Sequence, residues 1–274
     1  MIKQAIIPLA GLGTRLLPLT SVFPKELLPI NGKPGLQYIL EECTDAGIKE
    51  FIFIISDKKK SIKKYFYNDA FFKKIIKEKK KDKRINDEYK KIKKYKKMIK
   101  FVYQNSPKGT GDAVLKCKNL IKNKYFLMLL PDDLIIKRNC SKEMIKLHRK
   151  TNSSIIASKV VKKSTVSRWG ILSIKNKSKH SFQISDVVEK PSPKKAPSNY
   201  AIIGRYILPK SIMNEIKNLK PGQGGEIHIT DAIKNLIYKK EKFYGNIFKG
   251  KYLDCGTLNG FINSGIEISK SNKL

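Results

Sequence analysis

The strongest constraint in this sequence is an alternation of hydrophobic periods. Apolar runs of strand length recur at residues 4–9, 51–56, 100–104, 125–130 and 154–160, and stretches with apolar residues at helical spacing lie between them. A helix between two strands returns the chain to the same end of a sheet, so this alternation predicts βαβ units on a mostly parallel sheet. Leu36, Ile39, Leu40 and Cys43 recur at three- and four-residue steps, and Gly47 follows where a helix ends by turning left-handed. Residues 58–100 keep Ile62, Tyr65, Phe66, Ile75 and Ile76 at helical steps inside a lysine-rich run. That stretch reads as helix with a mobile basic connection rather than a separate domain. Beyond residue 160 the pattern changes to short strands at 170–174, 184–189 and 200–208, then helices after Ser211 and Thr230. The expected fold is α/β: a Rossmann-like, mostly parallel sheet flanked by helices, with a smaller β-rich part in the C-terminal half. The chain reads as one unit over 1–274, without internal repeat or interdomain linker.

Charge narrows the partners. The chain carries 58 Lys+Arg against 23 Asp+Glu, a formal charge of +35, yet 41% of its residues are hydrophobic. That fraction excludes a wholly disordered basic chain. Residues 58–100 hold 20 basic and 5 acidic residues, but the excess also extends over the rest of the sequence. Only six of the basic residues are Arg, the side chain whose planar fork grips phosphates and reads bases, so a solvated lysine surface is expected rather than a nucleic-acid face. The longest apolar runs, at 51–55 and 125–130, fall far short of the roughly 20 residues that cross a bilayer. The first ten residues lack a signal peptide's basic start and cleavage pattern. No membrane association and a cytoplasmic location are therefore expected. The four cysteines and three histidines share no metal-ligand spacing.

The first strand runs into Gly11-Leu12-Gly13-Thr14-Arg15, and Pro24-Lys25-Glu26 follows. A glycine loop at the carboxyl end of a strand exposes backbone N–H groups to a phosphate, and Arg15 and Lys25 add charge on the same rim. Leu16 stands where a dinucleotide fingerprint needs a third glycine, and no Gly-Lys-Ser/Thr follows as in a Walker loop, so the run fits a triphosphate. Asp132 and Asp133 follow the apolar run at 125–130, placing hard oxygen ligands suited to Mg²⁺ at the same edge. Gln104 ends another predicted strand; its amide both donates and accepts, the complement of a uracil edge, while Gly109 and Gly111 let a flat base lie close to the backbone. Adjacent strand residues point to opposite faces, so Glu189 and Lys190 can share a site only if the strand ends there, as Pro191 indicates. In isolation a DD pair is a turn and an EK pair a surface ion pair.

Taken together, GLGTRLLPLTSVFPKELLPINGKP at 11–34, KGTGDAV at 108–114, LLPDDLI at 129–135, VVEKP at 187–191, APSNYAIIGRYIL at 196–208, GGEIHITDAI at 224–233 and DCG at 254–256 resemble the sugar-1-phosphate nucleotidyltransferases, in order and spacing, over nearly the whole chain. The resemblance implies an enzyme that uses Mg²⁺ and joins UTP to glucose 1-phosphate. It implies nucleotide contacts at Ala10, Gly11, Gly13, Thr14, Gln104, Gly109 and Gly111, metal ligands at Asp132 and Asp254, and catalytic cations at Arg15, Lys25 and Lys190. Sugar contacts follow at Gly170, Glu189, Asn199 and Glu226, so that 1–160 mainly serves the nucleotide and 161–274 the sugar phosphate. Asp112 departs from the histidine expected of uridylyl members, and Trp169 from a smaller aromatic. Asp112 keeps open a dTTP-dependent relative, and the net charge a non-catalytic nucleic-acid-binding protein on the same scaffold. The family also implies homo-oligomers built through carboxyl-terminal helices, and a chain ending at Leu274 is shorter than that family's usual length.

Overall fold

The apolar runs become strands of one sheet. The computed structural model describes residues 2–79 and 82–271. It begins with β1 (Gln4–Pro8), a short hairpin of β2 (Pro29–Ile30) and β3 (Lys33–Pro34), α1 (Gly35–Asp45) and β4 (Glu50–Ile55). The basic run folds as α2 (Lys60–Tyr67), α3 (Asp69–Glu78) and α4 (Lys83–Met98); the rest of the expected connection, residues 80–81, lies outside the described residues. Then come β5 (Ile99–Tyr103), α5 (Thr110–Leu115), β6 (Tyr125–Leu129), β7 (Asp133–Ile136), α6 (Cys140–Thr151) and β8 (Ser154–Val160). The remainder is β9 (Gly170–Lys175), β10 (Ser181–Glu189), β11 (Tyr200–Pro209), α7 (Ile212–Lys217), α8 (Ile229–Tyr238), β12 (Phe243–Ile247), β13 (Lys251–Asp254) and α9 (Leu258–Ser271). The left-handed turn expected after α1 is present: Gly47 has φ +91° and Ile48 N donates to Cys43 O at 3.0 Å. No helix among the described residues is long and apolar enough to cross a membrane.

Nine strands form one sheet in the order β5-β4-β1-β6-β11-β8-β12-β10-β9. Pairing is parallel from β5 through β4 and β1 to β6, the expected βαβ part. It turns antiparallel at β6–β11 and β11–β8, parallel at β8–β12, and antiparallel on to β10 and β9. The β-rich C-terminal half thus continues the same sheet in mixed pairing. β9 also pairs with β11 at Ile171 and Ala201, so the far end of the sheet curls back to its middle.

Alternation along each strand builds two cores. Ala5, Ile7, Phe51 and Phe53 pack on one face against Leu36 of α1, Ile62 of α2 and Met144 of α6. Ile6, Ile52 and Ile54 pack on the other against Val114 of α5, Ile216 of α7 and Ile233 of α8. With helices on both faces, the central strands need no polar side, and this is why they read as unbroken apolar runs. The charged groups of the site therefore sit mainly at strand ends and on the loops beyond them.

Candidate active site

The loops beyond β1 and β6 lie side by side. Lys25, in the 3₁₀ turn Lys25–Leu27, places Nζ 2.6 Å from Asp132 Oδ2, just past β6, and an Arg15 guanidinium nitrogen lies 3.4 Å from the same oxygen. Burial alone would lower the Lys25 ammonium's pKa, but the carboxylates of Asp132 and Glu26 outweigh it and hold it above the usual lysine value. Burial would likewise raise the Asp132 carboxyl, and Lys25 overrides it, so Asp132 titrates below the usual range. The pair is therefore a charged unit at neutral pH. Beneath it Glu26 is fully buried and receives both its bonds from Lys59 Nζ, at 2.7 and 2.8 Å, which fixes the turn that carries Lys25.

Asp254 arrives from the far end of the sequence. β13 pairs antiparallel with β7, Asp254 opposite Asp133, so the ladder sets it beside the end of β6. A methyl group built on Gly256 would stand 2.7 Å from Asp132 Oδ2, 2.9 Å from Arg15 and 3.2 Å from Asp254 Oδ1, so both carboxylates lie close to that glycine, whose N–H donates to Asp254 Oδ1 at 2.9 Å. Asp254 Oδ2 also accepts from Arg168 at 3.0 Å. Asp133 has a supporting part: it accepts from Tyr252 OH at 2.7 Å and Gly204 N at 2.8 Å. Burial, reinforced by the charge on Asp132, pushes its pKa up to about 6.

Two cavities flank Asp132. The larger, about 730 Å³, is lined by Thr14, Arg15, Gly170, Glu189, Lys190, Glu226 and Asp254. The smaller, about 250 Å³, is lined by Ala10, Gly11, Lys25, Gln104, Gly109 and Glu226. Asp132, Leu130, Thr110 and Glu226 belong to both. β10 ends at Glu189, as Pro191 predicts, and Lys190 takes the left-handed φ +43°, rare for a residue with a side chain. This turn lets the two neighbours share one cavity, Lys190 Nζ standing 3.8 Å from Glu189 Oε1. Glu189 Oε2 accepts from Thr230 at 2.9 Å. Gly109 requires its lack of a side chain twice over: φ is +98°, and a methyl there would stand 2.6 Å from Ile227 O.

Three expected contacts fall outside both cavities. Gly111 packs against Ile227, where its missing side chain admits the neighbouring chain, a methyl there standing 2.8 Å from Ile227 O. Gly13 turns the loop at φ +71°, its carbonyl accepting from Thr20 at 2.8 Å. Asn199 is exposed, and its carbonyl accepts from Val161 N at 3.0 Å.

Comparison with known proteins places the fold. The chain matches the Nucleotidyl transferase family over residues 4–72 and 65–271. It belongs to that family. A curated relative, the UTP–glucose-1-phosphate uridylyltransferase of Mycoplasma genitalium, is 37% identical over 99% of this chain and 93% of its own. A crystal structure of UDP-glucose pyrophosphorylase complexed with UDP-glucose superposes with a TM-score of 0.88 at 36% identity, covering 99% of this chain and all of the other. A UTP-bound UGPase from Acinetobacter baumannii gives 0.87 at 31% identity, over 98% of this chain and 93% of the other.

This nucleotidyl transferase lines its larger cavity with residues that sequence reasoning passed over: Arg168, Tyr252 and Thr230. Arg168 carried a signal, as one of only six arginines and directly before Trp169-Gly170. Tyr252 could have been found two residues before Asp254 on the same strand face. Lys59 had no local signal, being one lysine in a lysine run.

Proposed function

We propose that this nucleotidyl transferase makes UDP-glucose and pyrophosphate from UTP and α-D-glucose 1-phosphate. The observation that carries the reading is the meeting of the two cavities at Asp132, whose carboxylate pairs with Lys25, since a reaction between two bound phosphates needs both substrates to converge on one charged point. UTP fits with its base in the smaller cavity, beside Gln104 and Gly109, and its phosphates on the loop at Gly11–Arg15. Glucose 1-phosphate fits the larger cavity, its hydroxyls toward Glu189 and its phosphate toward Lys190. The phosphate oxygen attacks the α-phosphorus in line; a new P–O bond forms as the bond to the β-phosphate breaks, and pyrophosphate leaves with that electron pair. The attacker is already anionic, so no protein nucleophile is needed. The chain's work is to orient two mutually repelling anions and to hold Lys25, Arg15 and Lys190 against the charge that builds up.

Asp132 and Asp254 fit a divalent cation: two hard carboxylates lie close together beside Gly256, the number that Mg²⁺ accepts when substrate phosphates and waters complete its shell. When bound, Mg²⁺ supplies neutralisation of the nucleotide's phosphate charge. The continuity of the sheet supports a single working unit; within it the proposed division, 1–160 mainly for the nucleotide and 161–274 for the sugar phosphate, is crossed by Thr14 and Arg15 in the larger cavity and Glu226 in the smaller. The buried free thiols of Cys43, Cys117, Cys140 and Cys255 support a reducing, cytoplasmic setting. Exposed Leu258, Ile262 and Ile266, four residues apart on α9, support self-association.

The test is pyrophosphate release with Mg²⁺ and glucose 1-phosphate across UTP, dTTP, CTP, ATP and GTP. Preference for UTP is expected; preference for dTTP would make the protein a thymidylyltransferase, and no turnover with any nucleotide would refute the catalytic reading.

A further inference from the structure

Resting on the UTP reading above, we infer that Asp112 is a positioning residue for base selection: it turns the Gln104 amide so that only the carbonyl oxygen faces the nucleotide. Gln104 follows β5, is 5% exposed and lines the smaller cavity. Its Nε2 donates to Asp112 Oδ2 at 2.7 Å and to the Gly109 carbonyl at 3.2 Å. A glutamine amide has two orientations of nearly equal shape, and its surroundings choose between them. Here the surroundings are one-sided. An ionised carboxylate and a backbone carbonyl both accept and neither donates, so the flipped amide would set its oxygen against two oxygens. The amide's two N–H groups are thus taken by the chain itself, and the group left for a ligand is the acceptor Oε1.

An isolated acceptor on the floor of a base pocket sorts pyrimidines. Uracil carries a donor at N3–H, which Oε1 can accept; cytosine carries a bare nitrogen there, and two lone pairs would face each other. Thymine presents the same N3–H as uracil, so the device separates N3–H pyrimidines from cytosine and does not separate UTP from dTTP. Asp112 sits in the first turn of α5, with Lys116 Nζ 4.0 Å from its other oxygen, so the carboxylate is held from both sides. The residue that departs from the family's expected histidine therefore does identifiable work: an imidazole could meet the amide as donor or acceptor, whereas a carboxylate can only accept.

The experiment compares kcat/KM for UTP and CTP in the unsubstituted protein, Asp112→Ala and Asp112→Asn, at saturating glucose 1-phosphate and Mg²⁺. Asp112→Ala is expected to narrow the UTP:CTP ratio by about tenfold or more, the usual consequence of losing an orienting bond to a buried polar group. The change should lie in the nucleotide KM, leaving the KM for glucose 1-phosphate within about twofold. Asp112→Asn keeps an oxygen that can accept from Nε2 but adds an N–H₂ that can meet the flipped amide, so it is expected to narrow the ratio too, by less than Asp112→Ala. Misfolding lowers both nucleotides in proportion and cannot narrow the ratio. UTP turnover with an unchanged ratio in Asp112→Ala would overturn this inference alone. Absence of UTP turnover in the unsubstituted protein would overturn the uridylyl reading and this one together.

Discussion

Gly256→Ala puts a methyl group at the point that Asp132 and Asp254 share. Built on the existing backbone, the new Cβ lies 2.7 Å from Asp132 Oδ2, where ordinary van der Waals contact begins at 3.4 Å, so that oxygen must retreat by about 0.7 Å; Asp254 Oδ1, at 3.2 Å, gives by a few tenths. The groups that move are the ends of side chains, and Arg15, at 2.9 Å, is largely exposed, so folding stability should change by no more than about 1 kcal/mol. The chemistry is less forgiving. A misplacement near 1 Å at a reacting centre costs on the order of 10² in rate, about 2.7 kcal/mol in the barrier. Initial rates of pyrophosphate release, titrated with Mg²⁺, should show a turnover lowered by that factor and a midpoint moved to higher Mg²⁺. Thermal melting without Mg²⁺ should match the unsubstituted protein. Unchanged turnover and an unchanged Mg²⁺ midpoint would refute the idea that these two carboxylates act on one cation.

Lys190→Ala and Asp132→Ala should each lose about 10² to 10³ in turnover while melting as folded proteins; near-normal rates in both would remove them from the site. Burial holds the Glu26 carboxyl above its ordinary 4.5 in spite of Lys59 and Lys25, so the folded state carries more protons than the unfolded one above that pH. Unfolding free energy from this group therefore rises as pH falls through the window, and the stability advantage over Glu26→Gln, measured by urea unfolding, should grow on acidification from neutrality toward 4.5. Arg205, fully buried, binds Glu42 with contacts of 2.9 to 3.2 Å, and Arg205→Leu should cost about 3–5 kcal/mol by leaving that carboxylate buried without its cation.

What the sequence revealed depended on whether a residue's neighbours impose a period. The strands at β1, β4 and β6 lie between two helical layers, and their unbroken apolar runs announce them. β12 gave no such sign, because its Gly245 makes room for the Phe182 ring, which a methyl there would meet at 2.2 Å, and Asn246 interrupts the apolar character. β7 and β13 are four residues each, too short to show alternation, although their pairing is what carries Asp254 to the site. Within the site, Lys25 and Asp132 were legible as charges beside strand ends, and the turn at Lys190 was legible through Pro191. Motif membership did not report which way a residue faces, and Gly13, Gly111 and Asn199 lie outside the lining of both cavities, in a left-handed turn, against Ile227 and in a backbone pairing with Val161. Lys59 was hidden by its surroundings: its distinction is burial, and burial is a property of the folded chain.

The return of β9 to β11 makes the two pockets parts of one rigid frame. Glu189 and Lys190 cannot swing away from Asp132 on a hinge without disturbing the Ala201–Ile171 pairing, so under the proposed reaction the gap between the two phosphates would be a dimension of the sheet, set when the chain folds. If the proposed reaction holds, loosening the curl at Ile171 would yield a molecule that still captures each substrate singly and no longer confronts one with the other.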